Sequence, residues 1–70
     1  METTLAKGLK MLEAIANSDG PRGVSELGRE LGMTRSNAHR LLQTLSALGY
    51  VRHDAARGHY EATLRLFELG

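Results

Sequence analysis

Ser25 to Leu48, SELGRELGMTRSNAHRLLQTLSAL, holds two helical patterns separated by a glycine, and the second carries a basic outer face. Ser25 is placed to cap the first helix, Glu26 complements the helix dipole in the first turn, and Leu27 and Leu31 fall four apart on one face. Gly32 ends that helix at little cost, because glycine enters the left-handed region without a steric penalty. Thr34 caps the next helix, with Arg35, Ser36 and Asn37 in its first turn. Ala38, Leu41, Leu42, Leu45 and Leu48 line one side of it. At about 100° per residue, Ser36, His39, Arg40, Gln43 and Ala47 fall on the other, with Arg35 and Asn37 flanking them. Gly28 lets the two helices approach closely at the turn. The pair reads as a helix-turn-helix, whose second helix offers side chains to base edges and phosphates while its back is pinned to the domain.

Working outward, Gly49 ends the second helix, and Tyr50–His53 and His59–Ala62 read as two short strands joined by Asp54–Gly58. A hairpin in that place is a wing, with Arg57 at its tip and Arg52 on its first strand, both available to the DNA backbone. Tyr50 and Tyr60, one per strand, are expected to pack across the hairpin rather than to form a stacking platform for single strands. Upstream, Thr3 to Asn17 reads as a helix. Leu5, Leu9, Leu12 and Ala16 form its stripe, and Met11 and Ile15 widen the apolar arc beyond what one small core needs. Gly8 within it marks either a close contact or a tolerated cost of about 1 kcal/mol. Asp19–Gly23 is a turn by composition, and Val24 after it is either a very short strand or a hydrophobic staple. Thr63–Gly70 supplies Leu64, Leu66, Phe67 and Leu69 pointing in several directions. The surplus on the first helix and on this last segment predicts that two copies pair, through Leu5, Leu9, Met11, Ile15, Leu66, Phe67 and Leu69.

The net charge of +1 over 70 residues conceals an uneven distribution. Residues 1–33 carry four basic against five acidic side chains, and residues 54–70 two against three. Residues 34–53 hold Arg35, Arg40 and Arg52 with no acid, an electrostatic footprint for a polyanion. A chain of this size buries only about 60% of its unfolded surface and gains from a partner. The absence of cysteine excludes disulfides and thiolate metal sites and fits a reducing compartment, so a cytoplasmic protein is expected. There is no signal peptide and no apolar run long enough for a membrane span. His39, His53 and His59, spaced 14 and 6 apart, match no common ligand pattern, and no nucleophile, base and orienter stand together. Neither a metal, a cofactor nor catalysis is expected.

These residues resemble the N-terminal winged helix-turn-helix domain of IclR-type bacterial transcription regulators. The likeness rests on Ala14-Ile15-Ala16, Val24-Ser25-Glu26-Leu27, His39-Arg40-Leu41-Leu42 with Thr44-Leu45, Leu48-Gly49-Tyr50-Val51, Gly58, Tyr60 and Leu66-Phe67-Glu68-Leu69-Gly70. It departs at Gly8 and Ala38, where alanine and a β-branched residue are usual, and at Ala62-Thr63 in place of Leu-Gly. The resemblance implies a mainly α fold with a small β-hairpin, a winged domain over residues 1–63, and in 64–70 the start of a linker helix toward an effector-binding domain. Sequence-specific binding of double-stranded DNA at a pseudo-palindromic site follows as the expected function. Ser25, Thr34, Arg35, Ser36, Asn37, His39, Arg40, Arg52 and Arg57 are the expected contacts. The alternative is a winged-helix module that docks a protein and no nucleic acid; the acid-free run from Leu31 to His53 argues against it.

Overall fold

The computed structural model describes residues 2–68. Helix α1 (Thr3–Ala16) opens where the Glu2 carboxylate accepts from the Thr4 amide at 2.9 Å, and it ends at Asn17. A two-residue strand, β1 (Arg22–Gly23), leads directly into α2 (Val24–Leu31). The recognition-type helix α3 (Arg35–Ala47) follows, then β2 (Val51–Asp54), β3 (His59–Ala62) and the short α4 (Leu64–Glu68). The sheet is antiparallel in the order β1-β3-β2. The architecture is the expected mainly helical winged fold with one addition. Arg22 and Gly23, expected as turn, pair with Tyr60 and His59 and give the hairpin a third strand. A two-residue strand has no period of its own to read, so only its partner reveals it.

The turn between α2 and α3 is built as its residues dictate. Gly32 sits at φ 69° and ψ 33°, and the Met33 amide closes back onto the Gly28 carbonyl at 2.9 Å. Gly28 lies where the helices meet. A Cβ on it would stand 3.1 Å from the Met33 carbonyl oxygen and 3.6 Å from the Ala38 Cβ. Replacing Gly32 by alanine forces a side chain into the left-handed region, and the expected cost is about 1–2 kcal/mol of stability. A denaturant midpoint equal to the parent's would show that the turn has another conformation available.

The core consists of Met11, Ile15, Val24, Leu27, Ala38, Leu42, Leu45, Val51 and Tyr60. On α1, Met11 and Ile15 are 0% and 3% exposed, while Leu5 and Leu9, expected on the pairing surface with them, are 61% and 52% exposed. The apolar arc of α1 is wide enough that periodicity alone does not say which edge turns inward. Packing decides it: α1 lies against α2, α3 and β3, and the Met11–Ile15 edge meets them. Met11 and Ile15 therefore leave the expected pairing surface, because they are already covered within the domain. On α3 the inward side is as expected for Ala38, Leu42 and Leu45, but Leu48, beyond the last helical turn, is 55% exposed.

Of the two tyrosines expected to pack across the hairpin, Tyr60 does so and Tyr50 has another partner. Tyr60 is buried and stacks on His53, its partner in the register. Tyr50 precedes β2 and lies beneath the Arg65 guanidinium, 5.3 Å from its ring centroid. The exit from the wing is fastened by Thr63, whose hydroxyl donates to the Gly49 carbonyl at 2.6 Å and whose amide donates to the Tyr50 carbonyl at 3.1 Å. A threonine in that place thus ties α4 to the start of β2. Of Gly8 the structure gives a plain account: a Cβ there would meet nothing within 4 Å, so it marks no close contact.

Candidate nucleic-acid interface

The exposed side of α3 carries the side chains expected there. Thr34 caps the helix, its hydroxyl oxygen accepting from the Asn37 amide at 3.1 Å. Arg35, Ser36, His39, Arg40 and Gln43 are all exposed, and Asn37 is half-buried. Two of the arginines are held in place. The Arg40 guanidinium donates to the Asn37 side-chain carbonyl at 2.7 Å, and Arg35 Nε donates to the Ser25 hydroxyl at 3.1 Å. The second contact corrects the role of Ser25. The cap of α2 is Gly23, with no side-chain capping bond, and Ser25 lies one residue inside the helix, where it accepts from Arg35. Helix α2 starts earlier than expected because Gly23 is already extended by its pairing with His59.

The wing arginines differ from one another. Arg52 and Glu61 face each other across β2 and β3, and the guanidinium binds the carboxylate, with Nε at 2.9 Å from it. The acid-free run of sequence is therefore not acid-free in space, and Arg52 enters any contact with its charge partly answered. Arg57 at the hairpin tip is more open. Its side chain is 76% exposed and its one ionic neighbour among the described residues, Asp54, is 3.8 Å away. The tip is a tight turn in which the amides of Arg57 and Gly58 both point to the Asp54 carbonyl. Arg35 and Arg40 have no salt bridge among the described residues, so both bring their charge to the exposed side of α3 without an acidic partner.

Three residues that local patterns did not single out also bear on the site. Lys7 and Thr4 of α1 share a surface groove of about 300 Å³ with Asn37, Arg40, Leu41 and Thr44, which places a lysine beside the recognition surface. Nothing local in Thr3–Asn17 signals this, since it depends on how α1 crosses α3. Arg22 acts further back. Its guanidinium binds Glu26 and Glu30 of α2 and donates to the Ser18 hydroxyl at 2.7 Å, and Ser18 donates to the Ala14 carbonyl at 2.6 Å. The end of α1 is thereby tied to α2, the scaffold of the recognition helix. The spacing of Arg22, Glu26 and Glu30 was the available signal. The Arg22 hydrogen bond holds the Glu26 carboxyl below its ordinary range. A depressed carboxyl contributes its stability above the unfolded-state value and loses it as pH falls through the lowered one. On an exposed pair the effect is small.

Comparison with known proteins agrees with this architecture. Residues 4–55 match the family described as the IclR helix-turn-helix domain. The chain belongs to that family. As an IclR-family helix-turn-helix domain it is a DNA-binding domain of a class of transcription regulators, not of enzymes. It is 39% identical over 67 residues to the transcriptional repressor IclR of Escherichia coli, matching 96% of this chain and 24% of that protein. The glycerol operon regulatory protein of Streptomyces coelicolor is 33% identical over 67 residues, covering 96% of the domain and 26% of the regulator. In three dimensions the IclR-family domain superposes on an IclR family transcriptional regulator from Brucella abortus with a TM-score of 0.90 at 33% identity. That match covers 100% of this chain and 27% of the other. The domain thus spans about a quarter of the length of these relatives.

Of the surface expected to pair two copies, Leu5, Leu9 and Phe67 are exposed and Leu66 is half-buried. Leu69 lies outside the described residues. Leu48 and Leu64 join the exposed set. Leu5, Leu9 and Leu48 line one shallow apolar groove of about 250 Å³ between α1 and α3, and Leu9 and Leu66 line a second of about 420 Å³.

Proposed function

We propose that this domain binds double-stranded DNA at a specific sequence, with α3 in the major groove and the wing on the adjoining backbone or minor groove, as the DNA-binding part of a longer bacterial transcription regulator. One observation carries the reading. The outward side of α3 is polar from Arg35 to Gln43, its two arginines are oriented by neighbouring side chains and meet no acid among the described residues, and Ala38, Leu42 and Leu45 on its other side are set in the core. Arg35, Asn37 and Arg40 are the residues assigned to base edges, since arginine matches guanine and asparagine matches adenine in bidentate contacts. Thr34, Ser36 and the open amides at the start of α3 suit a phosphate, with His39, Arg52 and Arg57 as further backbone contacts.

Two copies pair through the exposed Leu5 and Leu9 of α1 and through the half-buried Leu66 and exposed Phe67 of α4, to which the exposed Leu48 is added. So many large apolar side chains left open on a small domain support an interface. A two-fold pair reads a pseudo-palindromic site whose half-sites lie about one helical turn apart or a multiple of it. Selection of bound duplexes from a random pool tests this directly: an enriched inverted repeat is expected, and a pool that stays random would overturn sequence-specific reading. With four to six phosphates neutralised per pair, log affinity is expected to fall with log salt at a slope of about −4 to −5. Fluorescence anisotropy across a salt series measures it, and a flat dependence would contradict a backbone-anchored complex.

A further inference from the structure

The hairpin stands away from the second half of α3 and leaves a cleft of about 290 Å³, lined by His39, Gln43 and Ser46 from the helix and by His53 and Tyr60 from the wing. The three helix residues follow one another at four- and three-residue intervals, so they form one row along the wing side of α3. Opposite them, the His53 ring lies flat on the Tyr60 ring, with centroids 4.4 Å apart and planes 10° apart. Tyr60 is buried in the core and His53 is exposed, so the stack orients the imidazole while leaving it open to a ligand.

Among the described residues, no carboxylate lines this cleft. Strand alternation explains why: the residues flanking His53, Arg52 and Asp54, project from the other face of the hairpin, as do their partners Glu61 and His59. From α3 the one titratable group on the cleft is His39, and from β3 it is Tyr60. The cleft therefore offers two imidazoles, an amide and a hydroxyl, with no negative charge among its walls. It also adjoins the outward face of α3, with which it shares His39 and Gln43.

We propose that this cleft is a phosphate site: it holds a phosphodiester of the DNA strand that passes between α3 and the wing, with His53 and His39 donating to its oxygens and Gln43 and Ser46 completing the shell. This rests on α3 being the groove-reading helix. A strand bordering the groove entered by α3 must cross between helix and wing, and the cleft is the recess on that line. His53 becomes a DNA contact in its own right, and the stack on Tyr60 becomes the device that positions it.

Imidazole is the side chain that changes charge between about pH 5 and 8, so the contact has a readout that an ordinary structural histidine lacks. Affinity for a labelled duplex is measured by anisotropy at about pH 5.5 and about pH 8, at constant ionic strength, for the parent chain, His53→Phe and Gln43→Glu. The parent is expected to bind about tenfold more tightly at the lower pH, on random and selected duplexes alike, because a charge-assisted bond to phosphate carries no base preference. His53→Phe keeps an aromatic stack on Tyr60 and loses the donor; it is expected to forfeit at least half of that gain on a logarithmic scale. Gln43→Glu, on an exposed helix position, puts a negative charge in the cleft and is expected to weaken binding about tenfold at both pH values. Should His53→Phe disturb the hairpin, seen as a lowered melting temperature, Gln43→Glu carries the test alone. A parent-like pH profile in folded His53→Phe, or parent-like affinity in Gln43→Glu, would overturn the cleft and leave the α3 reading standing. Failure of the parent chain to bind any duplex would overturn both.

Discussion

Leu42→Ala is expected to remove about 2–5 kcal/mol of stability, the largest single effect foreseen for this domain. Leu42 is fully buried at the middle of α3 and belongs to the cluster that joins α1, α2, α3 and the sheet. Deleting its branched end loses the transfer free energy of three buried carbons and leaves a cavity that the neighbours fill only in part. A 70-residue chain commands only about 4–10 kcal/mol in total, so the variant stands near the limit of folding. Urea denaturation followed by far-UV circular dichroism measures the loss. A midpoint unchanged from the parent's would mean that Leu42 is not a core residue. The effect bears on the proposed function as well, because Leu42 is part of the inward row that fixes which side of α3 is turned outward.

Arg40→Ala is expected to weaken binding to the selected duplex by about 1–3 kcal/mol while leaving affinity for random duplex much less changed. The guanidinium is exposed, free of acidic partners among the described residues, and held by Asn37 at 2.7 Å. Its loss also releases the Asn37 side chain, so two of the proposed base contacts are disturbed by one truncation. Arg40→Lys separates charge from geometry. It keeps the positive charge but not the planar fork, and it is expected to lose most of the discrimination between selected and random duplexes. Equal losses on both duplexes for Arg40→Ala would move the residue to a phosphate contact, and no loss on either would remove it from the interface.

The helix-turn-helix was legible because its signals are local. A hydroxyl three residues before the amide it caps, a left-handed glycine and a 3.6-residue apolar row each act within one or two turns, and Thr34, Gly32 and Ala38–Leu42–Leu45 behave accordingly. Ser25 shows where that reasoning slips. Serine is a good cap by type, but the start of α2 is set by Gly23 pairing with His59, a contact 36 positions along the chain, and Ser25 falls inside the helix. Arg52 shows the same limit for charge. Its partner Glu61 is nine residues away in sequence and directly opposite in the hairpin, so a tally along the chain overstates the free positive charge of the wing.

The sequence by itself determined the first three helices and the hairpin, the winged helix-turn-helix, the family and the outward row of α3, since caps, turns and periodicity are physics of neighbouring residues. Only the tertiary structure decided which edge of the broad apolar arc of α1 faces inward. Met11 and Ile15 are covered and Leu5 and Leu9 are left open because α1 meets α2, α3 and β3 at a particular rotation, and that rotation depends on every surface packed against it. The third strand, the clamp of Arg22 on α2 and the cleft between His39 and His53 belong to the same class. Each joins segments that come together only once the chain has closed on its core, and no window of sequence contains both halves.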